Sequence, residues 1–312
     1  MKKRFFFWGV FTLFLLMLRM PAFAALYLAS IPPLHSLLSG LLKDVAVVDV
    51  LLEGQFSPHT YTLKPSDIAK IRHAEVIFWI GPGFEFFLVK PIQVFRKKNI
   101  QMIELPTLMK HPQRSHHHWQ PSQEMVTEHS HRDSPSTQGS IDPHLWLDPQ
   151  NALHIVQFLK SYLIQHHPAA QDKIDANYVR VEKALRQLQA DLYAKLKPLR
   201  GQSFFVFHDG YQYIEKAFHL NGAGVMMINP ETSPSVRHMN RLAAYARQKH
   251  VRCVFAESQF SPTMVAEFAR LYHLKVATLD PLGQSRFHDE RDYIATLNTL
   301  ADTFVTCLKK DK

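Results

Sequence analysis

Apolar positions form one unbroken block at the start of this chain and then fall into two alternating periods. Lys2, Lys3 and Arg4 precede the apolar run Phe5 to Leu18, which Arg19 ends. That run is shorter than the roughly 20 apolar residues a membrane-spanning helix needs. Ala22-Phe23-Ala24 then supplies the small, any, small pattern of a signal-peptidase site. A signal peptide over residues 1–24, cleaved after Ala24, is expected, with a retained anchor as the alternative. Short apolar runs predict strands at Leu26–Ile31, Val45–Leu52, Val76–Ile80 and Ile100–Leu105. Helices are predicted at His35–Leu42, from a Ser66 cap to about His73, and near Glu85–Phe95, where Pro91 can shorten or kink the element. Strands separated by helices imply a parallel sheet with crossovers, an α/β lobe.

From about Thr107 to Asp142 the periodicity disappears into Ser, Gln, Pro, Thr and His. Such a stretch cannot bury enough apolar surface to fold alone. Order resumes at Pro143-His144-Leu145-Trp146, and Asn151 can cap a helix that turns Ile155, Val156, Leu159 and Leu163 inward. Ile174, Tyr178, Val181, Leu185, Leu188 and Leu192 recur in steps of three and four, predicting an uninterrupted helix over 171–197. It spans roughly 40 Å at 1.5 Å per residue, enough to join two lobes, or else to pack along one. The alternation then restarts. Strands are predicted at Ser203–Phe207, Gly224–Ile228, Cys253–Ala256 and Leu274–Leu279. Between them, one helix after Pro234-Ser235 buries Val236, Met239, Leu242 and Ala246, another is capped by Ser261, and a last helix runs over Asp292–Lys309. The expected division is an N-terminal α/β lobe over 25–170, a connecting helix over 171–197 and a C-terminal α/β lobe over 198–312.

Composition narrows the function. The chain has 312 residues and 46% hydrophobic content, which excludes wholesale disorder and suits two domains. Its formal charge is +9; loss of Lys2, Lys3, Arg4 and Arg19 with the signal peptide lowers 36 basic residues to 32 against 27 acidic ones, +5. No basic stripe with interleaved aromatics points to nucleic acid. No cysteine follows the cleavage point to carry lipid and no later segment could span a bilayer, so the mature chain is expected outside the cytoplasmic membrane. Of 19 histidines, six (His111, His116, His117, His118, His129 and His131) lie in the aperiodic stretch. The only cysteines are Cys253 and Cys307, so a metal site must use imidazole and carboxylate.

His208 and Asp280 fall at the carboxyl ends of predicted strands, where open parallel sheets place their ligand crevices. His59 follows another strand by a short loop, and His144 lies where order resumes. Three imidazoles and a carboxylate would complete a four-coordinate Zn²⁺ shared by two lobes. Any one of these histidines could equally be a packing or surface residue. Glu257 begins a loop after a strand and could hydrogen-bond a ligating imidazole, or could be a plain surface carboxylate. The histidine stretch could capture zinc weakly, in which case deleting residues 112 to 138 should spare the tight site.

The motifs Pro58-His59-Thr60-Tyr61, Pro143-His144-Leu145-Trp146-Leu147, Phe205-Val206-Phe207-His208-Asp209 with Tyr211, Cys253-Val254-Phe255-Ala256-Glu257 and Thr278-Leu279-Asp280-Pro281-Leu282-Gly283 together resemble the metal-binding solute receptors of zinc and manganese ABC importers, nearest the periplasmic high-affinity zinc receptors. The resemblance spans essentially the whole mature chain. It implies two α/β lobes joined by a rigid helix, and ligand roles for His59, His144 and His208 with Asp280 as fourth ligand or close neighbour. It also implies a monomeric receptor that hands Zn²⁺ to a membrane permease driven by a cytoplasmic ATPase. The manganese receptors carry a carboxylate where this chain has His208, and a third imidazole favours the softer zinc. In the zinc receptors the histidine loop is often longer and more acidic, and an acidic residue can precede the first histidine where this chain has Pro58. Cys253 and Cys307 are either buried free thiols or a disulfide, which an oxidising compartment permits and the resemblance favours. Two other readings compete: a zinc hydrolase with Glu257 or Asp209 as base, though no His-Glu-x-x-His helix is present, and a secreted zinc-storage or adhesion protein.

Overall fold

The computed structural model of the chain describes residues 27–114, 140–227, 234–283 and 292–309. The expected signal peptide with its cleavage site, and His116, His117, His118, His129 and His131, lie outside the described residues. The first lobe holds β1 (Tyr27–Ala29), β2 (Val48–Val50), β3 (Val76–Trp79) and β4 (Lys98–Gln101) in the order β2-β1-β3-β4, every pair parallel. Helices α1 (Pro32–Leu41), α2 (Pro65–His73) and α3 (Phe86–Val94) are its crossovers. Strands β1 and β3 are buried throughout, as a parallel sheet covered by helices requires.

Several element ends differ from expectation for local reasons. Pro32 and Pro33 open α1 instead of preceding it, because a missing N–H is no loss in a helix's first turn. Helix α2 is closed by Asp67, not Ser66: its carboxylate accepts the Lys64 backbone N–H at 2.7 Å. The expected strand at 100–105 ends at Gln101, and Met102–Glu104 form a 3-10 turn. Helix α4 (Pro149–His166) is capped by Asp148, which accepts from the Gln150 N–H at 2.8 Å. Asn151, the expected cap, is buried and ties the Met109 backbone to the Leu145 carbonyl.

Helix α5 (Gln171–Leu196) buries Ile174, Leu185, Leu188, Leu192 and Leu196, and at 1.5 Å per residue it is about 39 Å long. The second lobe follows, with β5 (Ser203–His208), β6 (Asn221–Met227), β7 (Cys253–Glu257) and β8 (Lys275–Leu279) in the order β6-β5-β7-β8, again all parallel. Its helices are α6 (Gln212–Phe218), α7 (Val236–Gln248), α8 (Thr263–Tyr272) and α9 (Asp292–Leu308). Val236, expected inside, is 77% exposed because it is the first residue after the Ser235 cap; Leu242, Ala243 and Ala246 form the buried face of α7. A disulfide joins Cys253 on β7 to Cys307 on α9.

The two sheets share a core. Helix α5 packs on α1 and α4 of the first lobe and on α9 of the second. One apolar cluster runs from Tyr27 and Phe78 through Trp146 to Phe204 and Phe304. Trp146 Nε1 donates to the Pro281 carbonyl at 2.9 Å, Tyr293 Oη donates to the Trp146 carbonyl at 2.7 Å, and the Tyr293 N–H reaches Ser36 Oγ at 3.0 Å. Bonds and dry packing of this kind join the lobes, and a wide hinge opening would have to break them.

Candidate metal centre

Three imidazoles meet between the lobes. His59 sits in the turn after β2, where its N–H donates to Ser57 Oγ at 3.3 Å. His144 directly precedes the 3-10 turn Leu145–Leu147, and His208 is the last residue of the internal strand β5. Side-chain nitrogens of the three lie within 4.8 Å of one another. Phe84 walls the group, its ring 5.0 Å from that of His59 and 5.4 Å from that of His144.

Hydrogen bonds fix which nitrogen faces inward in two of the three rings. Glu257 Oε1 accepts from His208 Nδ1, and Asp142 Oδ1 accepts from His144 Nδ1 at 2.8 Å and from the His144 N–H at 3.0 Å. A carboxylate can only accept, so each Nδ1 carries a proton and Nε2 is the nitrogen that each ring turns toward the centre for a metal to take. Register explains the first pair. Val206 is opposite Phe255 across β5 and β7, and two residues further along the same parallel ladder His208 faces Glu257.

The inward nitrogens His144 Nε2 and His208 Nε2 are 3.3 Å apart. Two lone pairs at that separation repel, and either a shared proton or a metal ion between them relieves the repulsion. Zn–N bonds of about 2.0–2.1 Å at a tetrahedral angle separate two ligand nitrogens by about 3.3 Å. The third inward nitrogen, His59 Nε2, is buried with no hydrogen-bond partner among the described residues, an unmet need that a metal would satisfy. Burial, reinforced by the neighbouring His144 and His208, holds the His59 pKa well below the ordinary imidazole value and keeps its lone pair free. Burial alone would lower His208 too, but the charge and hydrogen bond of Glu257, backed by Asp209 and Asp142, outweigh it and raise His208. For Asp142 burial favours the neutral form, yet the His144 hydrogen bonds prevail and hold its pKa below the usual carboxylate value.

The family model for ZnuA, the periplasmic component A of the zinc-uptake complex, matches residues 28–307. The chain belongs to the ZnuA family. Within it, the high-affinity zinc uptake system protein ZnuA of Yersinia pestis is 34% identical over 299 residues, 92% of either chain. The crystal structure of a zinc-bound ZnuA deletion mutant is similar with a TM-score of 0.74 and 25% identity, covering 92% of this chain and 98% of that one. A mutant of the laminin-binding adhesin of Streptococcus agalactiae shares the fold, with a TM-score of 0.73 and 20% identity over 91% of this chain and 99% of the adhesin.

In this ZnuA-family chain the other expected site residues fall into distinct places. Asp280 follows the last residue of β8 and lies near enough to Tyr211 to help burial and Glu257 raise that phenol's pKa well above its ordinary value. It is not among the groups within 4.8 Å of one another, which are the three histidines. Glu257 is 2% exposed and bonded to a candidate ligand, so it is no surface carboxylate. His111 is packed into the fold: its ring lies 4.8 Å from that of Tyr213, and its backbone carbonyl accepts from the Asp142 N–H at 2.8 Å. Burial, with Lys216 and Arg114 nearby, lowers the His111 pKa.

Two contributors escape a reading of the sequence. Asp142 was grouped by composition with the histidine stretch, although the Asp-Pro-His spacing could have suggested a partner for His144. Gly210 carries no chemistry of its own, yet a Cβ there would lie 2.6 Å from His208 Nε2 and 3.2 Å from His144 Nε2. Glycine at 210 keeps the space between the imidazoles open.

Proposed function

We propose that this chain captures Zn²⁺ outside the cytoplasmic membrane through His59, His144 and His208, with Asp280 as fourth ligand, and delivers it to a membrane permease driven by a cytoplasmic ATPase. The observation that carries the reading is the set of three inward imidazoles with a 3.3 Å nitrogen pair and carboxylates fixing two of the tautomers. Family membership supplies the transport context: the family is a periplasmic component of a zinc-uptake complex, and the Yersinia pestis relative is a high-affinity zinc uptake protein. Cleavage after Ala24 is part of the proposal, as are the boundaries 25–170, 171–197 and 198–312 for the two lobes and their connector.

Zinc is cargo here, and the protein transforms no substrate. The two carboxylates that could serve a hydrolase are engaged, Glu257 with His208 and Asp209 with Arg114, in keeping with a family of transport receptors. The shared core leaves room for small lobe adjustments, and zinc binding rewards whichever arrangement draws its ligands together. Two measurements test the function. His208→Ala should weaken zinc binding in chelator competition by at least about 100-fold, since it removes a ligand and strands Glu257. Reconstitution with the matching permease and ATPase should show zinc uptake that depends on the loaded receptor. A folded His208→Ala variant with unchanged affinity would sink the site, and uptake indifferent to the receptor would sink the importer role.

A further inference from the structure

The base of the histidine-rich insertion is a built structure. Its two legs, 111–114 and 140–142, form a short antiparallel stem: Pro112 bridges Ile141, the Gln113 N–H donates to the Ser140 carbonyl at 2.9 Å, and the Asp142 N–H donates to the His111 carbonyl at 2.8 Å. The first turn of α6 grips this stem. Gln212 Nε2 donates to the Pro112 carbonyl and to Asp142 Oδ2, both at 3.1 Å, and Tyr213 Oη donates to the Asp142 carbonyl at 2.9 Å. At the end of the first leg Arg114 forks into two carboxylates of the second lobe. Its Nε donates to Asp209 Oδ1 at 2.8 Å, and its Nη1 donates to Glu215 Oε2 at 2.6 Å. The side chains of Arg114 and Glu215 are 8% and 6% exposed, so the ion pair is shielded from water.

We propose that Arg114 is a positioning residue for the zinc site, locking the segment that aims His144 to the segment that carries His208 before any metal arrives. The assignment rests on the zinc-receptor reading of the three histidines. Asp209 is the residue after His208, and Asp142 on the second leg of the stem is the acceptor that sets the His144 ring. One guanidinium therefore ties the first leg of the stem to Asp209, beside His208, and to Glu215 of α6 in a forked geometry that lysine, a point charge, cannot reproduce, while Gln212 and Tyr213 of the same helix hold Asp142 on the second leg. Two of the three imidazoles are held in register by protein alone. His59 comes from a separate turn with one long backbone contact, and it is the least buried of the three.

The test uses the mature protein carrying Arg114→Met with Glu215→Gln, which removes the guanidinium together with one of its buried charges. Arg114→Lys, which keeps the charge and loses the fork, is the second variant should the first not fold. Zn²⁺ affinity is read by chelator competition and coordination geometry by the visible absorption of the Co²⁺-loaded protein. Residues that act behind a metal ligand change affinity by about 10- to 100-fold, so a loss of at least tenfold with an altered Co²⁺ spectrum is expected. Leu192→Ala, a buried position of α5, controls for general destabilisation and should keep both affinity and spectrum. Affinity within twofold of wild type with an unaltered spectrum overturns the assignment, as does an equal loss in the Leu192 variant. Failure of the wild-type protein itself to hold Zn²⁺ against the chelator defeats the receptor reading, and this assignment with it.

Discussion

Replacing Gly210 with alanine places a methyl group directly against the metal site. Gly210 does not sit at a positive φ, so the backbone accepts alanine; the methyl crowds a buried ring in the metal-free protein as well, an overpacking cost of about 1–3 kcal/mol that leaves the variant to be assayed as a folded protein. The added methyl would lie 2.6 Å from His208 Nε2 and 2.7 Å from His208 Cε1, separations that real side chains do not tolerate. The His208 ring cannot yield freely, because Glu257 holds its Nδ1. Relief needs a shift of at least about 0.5 Å, while ligand distances tolerate about 0.2 Å. One imidazole is then displaced or replaced by water, and affinity should fall by about 100-fold, or about 2.7 kcal/mol. Chelator competition measures the loss. Thermal melting with and without Zn²⁺ shows whether the stabilisation that follows from binding the native state disappears. A Gly210→Ala protein that binds Zn²⁺ within threefold of wild type would refute the inferred position of the ion.

Three further outcomes are expected. Replacing residues 115–139 by a short Gly-Ser linker should leave one tight zinc event and remove weaker ones in titration calorimetry; the cut must spare 112–114, which belong to the stem, and loss of the tight event in a folded protein would place a ligand inside the deleted stretch. The disulfide closes a separation of 54 residues, for which loop entropy predicts about 4 kcal/mol, so Cys253→Ala with Cys307→Ala should lower urea-unfolding stability by that order, and a cost below about 1 kcal/mol would contradict the loop argument. Glu85, fully buried and accepting from Ser30 Oγ at 2.5 Å and Gly81 N–H at 3.0 Å, has its pKa pushed up from 4.5 to about 7 by burial, which those bonds only partly oppose. The folded state keeps that proton where the unfolded chain has lost it, so this contribution is complete below about pH 4.5 and is lost as pH rises through about 7, a fall of about 3 kcal/mol. Wild-type stability relative to Glu85→Gln should decline by that order between pH 4.5 and 8, and parallel profiles would refute it.

Periodicity and strand-end logic decided much of this protein without coordinates. The three- and four-residue spacing of Leu185, Leu188 and Leu192 required a long helix, because no other element buries that stripe. The alternation on either side of it pointed to two parallel sheets, whose carboxyl ends nominated His208 and Asp280, while His59 and His144 were nominated by their loop positions. Glu257 was legible as a candidate partner because it begins the loop after a strand, and the β5–β7 register then set it beside His208. Capping was less legible: Asp67 and Asp148 were passed over for Ser66 and Asn151, since several polar residues near a helix start compete and backbone geometry chooses among them. Only the tertiary structure decided what surrounds the ligands. Gly210 matters because two imidazoles from different lobes leave no room for a methyl group, and Arg114 matters because Asp209, just after β5, and Glu215, on α6, bring carboxylates from 95 and 101 residues away to the base of an insertion. Neither constraint leaves a pattern along the chain, because steric exclusion and long-range ion pairing depend on distances that exist only after the lobes have packed.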